Sequence, residues 1–141
     1  MMRVNVMSRA AAIRYCHQPH TEESIIISIS DELTDYPSAP FRSSQNGVKD
    51  ILRLRFDDVD TDPSAMTEDD GKKIREFLDR NRSISSVIVH CDAGQSRSAG
   101  VAAAILKAKT GSDMQIFKNH AYTPNILCYR ITLENLMEEK L

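Results

Sequence analysis

A cysteine and an arginine six residues apart are the side chains of this sequence best suited to chemistry. Cys91 follows an apolar run and Arg97 follows a turn of small residues, within the segment Val87–Gly100, VIVHCDAGQSRSAG. A deprotonated cysteine is a strong nucleophile, and an arginine carries a permanent planar charge that can bind two oxygens of an anion. Together they predict attack by a thiolate on the central atom of a bound oxyanion.

The turn between these two residues has the composition of an anion-binding loop. Gly94 accepts backbone angles that a residue with a Cβ resists, and the N–H groups of such a turn can point inward beside a helix N-terminus. A thiol in that position has a pKa of roughly 3.5–7.5 instead of about 8.5. We therefore expect six residues to bind the anion: Asp92, Ala93, Gly94, Gln95, Ser96 and Arg97.

Two neighbours of the cysteine have expected roles of a different kind. Ser98 can donate its hydroxyl hydrogen to the thiolate, which would help the sulfur to leave a covalent intermediate. His90 immediately precedes Cys91, and we expect it to hold the turn by hydrogen bonds rather than to act as a base. Ser98 therefore joins the predicted catalytic group, whereas His90 does not.

The turn connects a predicted strand to a predicted helix. The run Val87–Val89 is typical of a central strand that is covered on both faces, and the helix is expected from about Ser98 to Lys109, ended by Gly111. Ligands bind at the carboxyl ends of the strands in open α/β sheets, which is where this turn lies. The position of the turn therefore agrees with its predicted chemistry.

The rest of the chain alternates between strand and helix patterns. Strands are predicted at Val4–Met7, Ser24–Ser30 and Ile51–Phe56, and a long loop at Asp31–Gly47. Helix caps are predicted at Ser8, at Thr67 with Asp70, at Ser112 and at Asn125. In the last helix, the expected buried face comprises Ile126, Tyr129, Leu133, Leu136 and Met137. The predicted fold class is α/β: a single domain over residues 1–141, with a central, mainly parallel sheet flanked by helices.

Composition and charge exclude several classes of protein. The chain has 141 residues, with 18 Lys and Arg against 20 Asp and Glu, a net charge of −2, and 41% hydrophobic residues. The apolar content is too high for a disordered chain, and there is no excess of positive charge to bind nucleic acid. The longest apolar runs fall far short of the ~20 residues that span a membrane, and the N-terminus does not resemble a signal peptide. We expect a cytoplasmic protein that binds neither nucleic acid nor membranes.

The cysteine count favours a reducing compartment. Three cysteines, Cys16, Cys91 and Cys128, are an odd number in a chain that is long enough to form its own core. A disulfide framework is therefore not expected. Cys16 and Cys128 are predicted to be small buried residues, which leaves Cys91 as the reactive thiol.

The segment from His90 to Ser98, HCDAGQSRS, resembles the His-Cys-x5-Arg-Ser/Thr signature of the cysteine-based protein tyrosine phosphatases. The pair Ala93-Gly94 and the run Ser96-Arg97-Ser98 look most like the small dual-specificity branch. Two further segments are similar to that family: Leu54–Asp58 to the strand and loop that carry the general acid, and Pro124-Asn125 to the pair that opens the last helix. The resemblance covers roughly Ile51–Leu136.

The resemblance implies a reaction in two steps without a metal or an organic cofactor. Cys91 attacks phosphorus while a carboxylic acid protonates the leaving oxygen, and water then hydrolyses the phosphocysteine. Arg97 and the loop amides stabilise the charge that develops on the phosphoryl oxygens. Asp58 is the expected acid because it falls at the matching place after the strand; Asp60 is the second candidate and Asp57 the third.

The residues of the loop also indicate the class of substrate. Relatives that act on phosphoinositides carry extra lysines in this loop, whereas Asp92 would repel a polyphosphorylated headgroup. The expected partner is therefore a phosphoprotein or phosphopeptide, with phosphotyrosine as the first choice and phosphoserine or phosphothreonine left open. Two alternatives stay open: a rhodanese-like sulfurtransferase, which also uses a cysteine between a strand and a helix, and a phosphate-binding pseudophosphatase.

Overall fold

Four parallel strands form the centre of the molecule. The computed structural model describes residues 2–33 and 46–138, so most of the loop predicted over residues 31–47 lies outside the described residues. In space the strands are ordered β1-β4-β2-β3. Their bounds are β1 (Arg3–Met7), β2 (Ser24–Ser30), β3 (Val48–Arg55) and β4 (Ser86–His90). The carboxyl ends of β2, β3 and β4 therefore meet at one edge of the sheet, where Cys91 follows β4.

Five helices connect and flank the strands of the described chain. They are α1 (Arg9–Cys16), α2 (Glu68–Arg80), α3 (Arg97–Thr110), α4 (Met114–Phe117) and α5 (Ile126–Glu138). The Ser8 hydroxyl caps α1, Thr67 and Asp70 form a reciprocal capping box on α2, and Asn125 accepts a hydrogen bond from the Cys128 amide at the start of α5. Gly111 ends α3 in the left-handed conformation. These predicted helix boundaries are confirmed.

The alternation of β-branched residues along the strands places apolar side chains on both faces of the sheet. The larger core lies on one face, where Ile25, Ile27 and Ile29 of β2 pack with residues of α2, α3 and α5. The smaller core lies on the other face, where Ile26 and Ile88 pack against Cys16 of α1. Burial on both faces is what the continuous apolar runs of β2 and β4 predicted. The sheet is thus a rigid platform whose strand ends can position side chains.

Three details differ from the sequence prediction. The strand expected from Ile51 begins at Val48. The short helix α4 has Asp113 rather than Ser112 at its N-cap, although the Ser112 hydroxyl accepts a hydrogen bond from the Met114 amide. On α5 the buried stripe runs through Cys128, Ile131 and Leu136, so the expectation that Ile126 and Met137 are buried was wrong. The helix packs against both α3 and α2, so its buried stripe is set by two neighbours rather than one.

No helix in the described ranges is long and apolar enough to cross a membrane.

Candidate active site

The loop between β4 and α3 is held against the junction of β1 and α1. Gly94 lies at its centre with φ +72°, a left-handed conformation that favours glycine. A Cβ built on Gly94 would lie only 2.6 Å from the Met7 carbonyl carbon and from the Ser8 amide nitrogen. The loop therefore depends on a glycine both for its backbone angle and for its close approach to the chain beneath it.

Gly94→Ala is expected to lower the free energy of unfolding by about 2–5 kcal/mol, the sum of left-handed strain and overpacking. Gly111→Ala is the matched control, because Gly111 has a similar φ of +89° but no atom within 4 Å of its added Cβ. That control should cost only about 1–2 kcal/mol. Urea unfolding of both variants checks the comparison, and equal losses would contradict the close packing of the loop.

Cys91 is buried at the base of this loop, with its sulfur 3.0 Å from the Ser98 hydroxyl oxygen. Burial by itself raises the pKa of the thiol. The Ser98 hydroxyl, the amides of Ser98 and Gly94, and the positive charge of Arg97 outweigh it and bring the pKa of Cys91 below its ordinary value. The surroundings of this sulfur therefore favour the thiolate, as the sequence predicted.

Arg97 is buried at the start of α3 and is fixed by two strand ends. Its Nη1 donates to Oδ1 of Asp31 at 2.7 Å and to the carbonyl oxygen of Phe56 at 2.8 Å. Its Nε is buried without a hydrogen-bond partner among the residues that the structure describes. A buried donor of this kind is costly unless an acceptor reaches it, and the oxygens of a bound oxyanion are acceptors of the kind that an arginine N–H prefers.

Asp58 is held against the rim of the same loop. Its Oδ1 accepts hydrogen bonds from the Ser96 hydroxyl at 2.8 Å and from Nδ2 of Asn125 at 2.9 Å. Nδ2 of Asn125 also lies 3.3 Å from the carbonyl oxygen of Val59. The Asn125 backbone amide donates to the Ser96 carbonyl oxygen at 3.0 Å, so Asn125 also ties the acidic loop after β3 to the loop of Cys91.

The other two candidate acids are placed differently. Asp57 accepts a hydrogen bond from the Glu32 amide at 3.0 Å, and this bond together with one from Ser64 lowers the pKa of Asp57. A carboxyl held in its ionised form is a poor proton donor. Asp60 lies in an open groove of about 500 Å³ beside Asp58, which is also lined by Asp62, Asn125 and Ile126. Among the three candidates in the described chain, Asp58 is the one bonded to the loop of Cys91.

His90 holds the base of the loop to the neighbouring strand. It pairs in register with Ser28 of β2, and its Nε2 lies 2.7 Å from the Ser28 hydroxyl oxygen. Its Nδ1 lies 3.1 Å from the Cys91 carbonyl oxygen, which can only accept, so Nδ1 carries the hydrogen. Burial lowers the pKa of His90 to about 4, and the ring is neutral near pH 7. These contacts fit the expected positioning role of His90.

The lowered pKa of His90 gives a pH dependence of stability. Its ordinary pKa is 6.5, so below this pH the unfolded chain takes up a proton that the folded chain refuses down to about pH 4. Between those values the free energy of unfolding should fall as the pH falls, by about 3 kcal/mol from this group. His90→Gln should remove that share of the decline in urea unfolding measured from pH 7 to pH 4, whereas His120→Gln, an exposed control, should not. Parallel curves for wild type and His90→Gln would contradict this account.

The remaining loop residues lie at its surface. Asp92, Ala93 and Gln95 are exposed, and the Gln95 carbonyl accepts a hydrogen bond from the Thr123 amide. The Asp92 carboxylate has the buried Arg9 beside it, with 3.5 Å between Nε and Oδ1. Asp92 was predicted at the rim, but Arg9 was not identified from the sequence as its partner.

The two other cysteines are buried away from solvent. Cys16 is in the smaller core under α1, and Cys128 is in the larger core on α5. Burial raises the pKa of the Cys128 thiol far above its ordinary value. Both are thus small core residues, as predicted.

Solved structures of similar fold are found for this chain, but no curated protein of similar sequence is. Neither known protein families nor curated proteins match the chain by sequence. Human DUSP28 superposes on 97% of this chain and 93% of its own, with a TM-score of 0.62 at 19% identity. The chain has the dual-specificity phosphatase fold.

Two other solved structures share this phosphatase fold. The human tyrosine phosphatase-like serine/threonine/tyrosine-interacting protein matches 97% of this chain and 90% of its own, with a TM-score of 0.58 at 19% identity. PTPMT1 in complex with PI(5)P matches 97% and 92%, with a TM-score of 0.57 at 20% identity. The resemblance found in the sequence is thereby confirmed at the level of the fold.

Within the phosphatase fold, four residues of the site were not predicted in the roles that they have. Asp31 anchors Arg97, Arg9 contacts Asp92, Ser28 anchors His90, and Asn125 holds Asp58. The available signal was positional for Asp31, because a carboxylate directly after a buried strand lies at the sheet edge where ligands bind. Using that signal requires the order of the strands, which was not predicted from the sequence.

Proposed function

We propose that this chain is a cysteine-dependent phosphatase that hydrolyses phosphomonoesters through a phosphocysteine on Cys91. One observation carries the proposal. The sulfur, whose pKa is lowered, lies in the loop that Arg97 closes, and the buried Nε of Arg97 lacks an acceptor among the described residues. A thiolate in the same loop as a fixed arginine that keeps an N–H without an acceptor is suited to bind and attack a tetrahedral anion.

The proposed reaction uses four side chains. The Cys91 thiolate forms a bond to phosphorus as the bond from phosphorus to the leaving oxygen breaks, and Asp58 gives that oxygen its proton. Arg97 and the loop amides bind the three other oxygens. Water then attacks the phosphocysteine, Asp58 takes its proton, and the Ser98 hydroxyl bond stabilises the departing thiolate. In this proposal the substrate is bound by five loop residues: Asp92, Ala93, Gly94, Gln95 and Ser96. Residues 1–141 form one catalytic domain. The protein acts in the cytoplasm.

The proposed substrate is a phosphotyrosine in a protein. The loop has no lysine for additional phosphates, and the neighbouring groove carries the carboxylates of Asp58, Asp60 and Asp62. Repulsion between these carboxylates and further phosphates disfavours a polyphosphorylated headgroup. A peptide chain carries its phosphate singly and fits an open groove better.

A panel of substrates tests the proposal. Wild-type protein is incubated with para-nitrophenyl phosphate, a phosphotyrosine peptide, the matched phosphothreonine peptide and a phosphoinositide, and released phosphate is measured. We expect release from the first two in preference to the phosphoinositide. No release from any of the four would contradict phosphatase activity and favour the pseudophosphatase, and transfer of sulfur from thiosulfate to cyanide would favour the sulfurtransferase.

A further inference from the structure

Arg9 is a buried cation that contacts the loop between β4 and α3 at Asp92. It is the first residue of α1 and is 7% exposed. Its Nη2 donates to the Ile29 carbonyl at 3.1 Å and to the Ser30 hydroxyl at 3.0 Å, both at the carboxyl end of β2. These bonds fix the guanidinium at the same sheet edge as the loop that carries Cys91.

Two more contacts link this arginine to the loop itself. The Arg9 amide donates to the carbonyl oxygen of Asp92 at 3.1 Å, and its Nε lies 3.5 Å from the Asp92 carboxylate. Asp92 directly follows Cys91, and its side chain is 54% exposed. Arg9 therefore fixes the main chain of Asp92 by a hydrogen bond, and its buried guanidinium offsets the charge of the Asp92 carboxylate.

Without the cation, Asp92 would act against the proposed chemistry. A negative charge next to the nucleophile repels both the thiolate and an incoming phosphate dianion. The partial exposure of Asp92 weakens this repulsion by solvent screening but does not remove it. In the described parts of the chain, the other charged or titratable groups around the loop include His90 of β4, Arg53 of β3, Arg97 of α3, Cys128 of α5, and Asp31, Asp57 and Asp58 of the loops after β2 and β3.

We propose that Arg9 is a positioning residue of the active site that acts through Asp92, by neutralising its carboxylate and fixing its main chain. The inference rests on the proposed function in so far as it concerns turnover. Its electrostatic part concerns the Cys91 thiol itself and is measurable without turnover. The role extends the site to a residue 82 positions before the nucleophile, which contacts the loop at Asp92, whereas Asp58 contacts it at Ser96.

The experiment compares Arg9→Gln, Arg9→Lys and the double variant Arg9→Gln/Asp92→Asn, with Arg14→Gln as the matched control. Arg14 is an exposed arginine on the same helix. Two quantities are measured: KM and kcat for para-nitrophenyl phosphate, and the pH midpoint for alkylation of Cys91 by iodoacetamide. Circular dichroism establishes that each variant is folded.

Arg9→Gln is expected to raise KM about three- to tenfold with a smaller change in kcat, and to raise the alkylation midpoint by about half to one pH unit. Removing the Asp92 charge as well should restore most of both values, because the repulsion is then absent. Arg9→Lys keeps the charge and should keep the midpoint near that of wild type. Arg14→Gln should leave both quantities unchanged.

A merely structural role for Arg9 gives a different pattern. The proposal is overturned if Asp92→Asn restores nothing in the Arg9→Gln chain, or if Arg9→Gln changes neither quantity. If Arg9→Gln does not fold, folding of the double variant supports the coupling, and failure of both overturns it. If the wild type hydrolyses no phosphomonoester while Arg9→Gln still raises the pH midpoint for alkylation of Cys91, that result contradicts the proposed function and leaves the role of Arg9 supported.

Discussion

Cys91→Ser is expected to lower kcat for every phosphomonoester by at least about 10⁴-fold, the scale on which removal of a covalent nucleophile acts in other hydrolases. A serine hydroxyl at this position stays protonated near pH 7, because a hydroxyl is a far weaker acid than a thiol. The contacts that lower the pKa of Cys91 are too weak to ionise it. The loop amides and Arg97 do not depend on the sulfur, so the variant should keep its affinity for the substrate. Turnover and binding should therefore separate in this one variant.

Two measurements test that separation. Phosphate release from para-nitrophenyl phosphate gives kcat, and equilibrium binding of a phosphotyrosine peptide gives the Kd. Cys16→Ala is the matched control, because Cys16 is an equally buried cysteine in the smaller core on the other face of the sheet. Cys91→Ser with more than about a hundredth of wild-type turnover would contradict the phosphocysteine, and equal losses in both variants would indicate damage to the fold.

The local part of the site could be predicted from the sequence because its residues are consecutive. The strand run, the glycine and the helix that begins at Arg97 follow one another within a few residues. Their backbone geometry is dictated by short-range rules: apolar runs form buried strands, and a glycine accepts a left-handed turn. Cys91, Ser98 and the loop amides were thus brought together as expected.

The contacts that fix this loop could not be predicted in the same way. Asp31 is 66 residues from Arg97, and Asn125 is 67 residues from Asp58. Their meeting depends on the strand order β1-β4-β2-β3, which sets β2 beside β4. A pattern of residue types does not specify which strands are neighbours, so charges at other strand ends could not be assigned partners. Arg9 was missed for the same reason: it follows β1, and the strand order is what places β1 beside β4 and the loop of Cys91.

Burial on α5 shows a second limit of sequence patterns. Spacings of three and four predicted a single apolar face, but the helix contacts both α2 and α3. The buried face therefore includes polar side chains, such as Asn135, which donates to Glu68 and to the Ile131 carbonyl. Ile126, expected in the core, borders the groove beside Asp58 instead. The spacing of apolar residues predicts one buried face, which suits a helix that packs against a single neighbouring element. A helix that packs against two elements buries a wider face, which the spacing does not predict.

Asp58→Asn is expected to lower kcat for a phosphotyrosine peptide by about 10²–10⁴-fold, the usual contribution of a general acid. The substitution is conservative in structure, because an amide oxygen can accept the hydrogen bonds from Ser96 and Asn125 that Oδ1 now accepts. It removes the capacity to give and take a proton, together with the charge of the ionised carboxylate. The loss should shrink for a substrate whose leaving group is a weak base, since such a group departs without protonation.

The comparison of leaving groups separates this role from a structural one. Initial rates are measured for a phosphotyrosine peptide and for para-nitrophenyl phosphate, across pH 5 to 8, with Asp57→Asn, Asp60→Asn and Asp62→Asn as variants of the same loop. Asp58→Asn should show the largest ratio between the two substrates and should lose the decline in kcat that deprotonation of the acid causes at higher pH. A large ratio for Asp60→Asn with none for Asp58→Asn would identify Asp60 as the acid. In that case the hydrogen bonds to Asp58 would serve to hold the acidic loop, and Asp60 would have to approach the leaving oxygen from the groove that it lines.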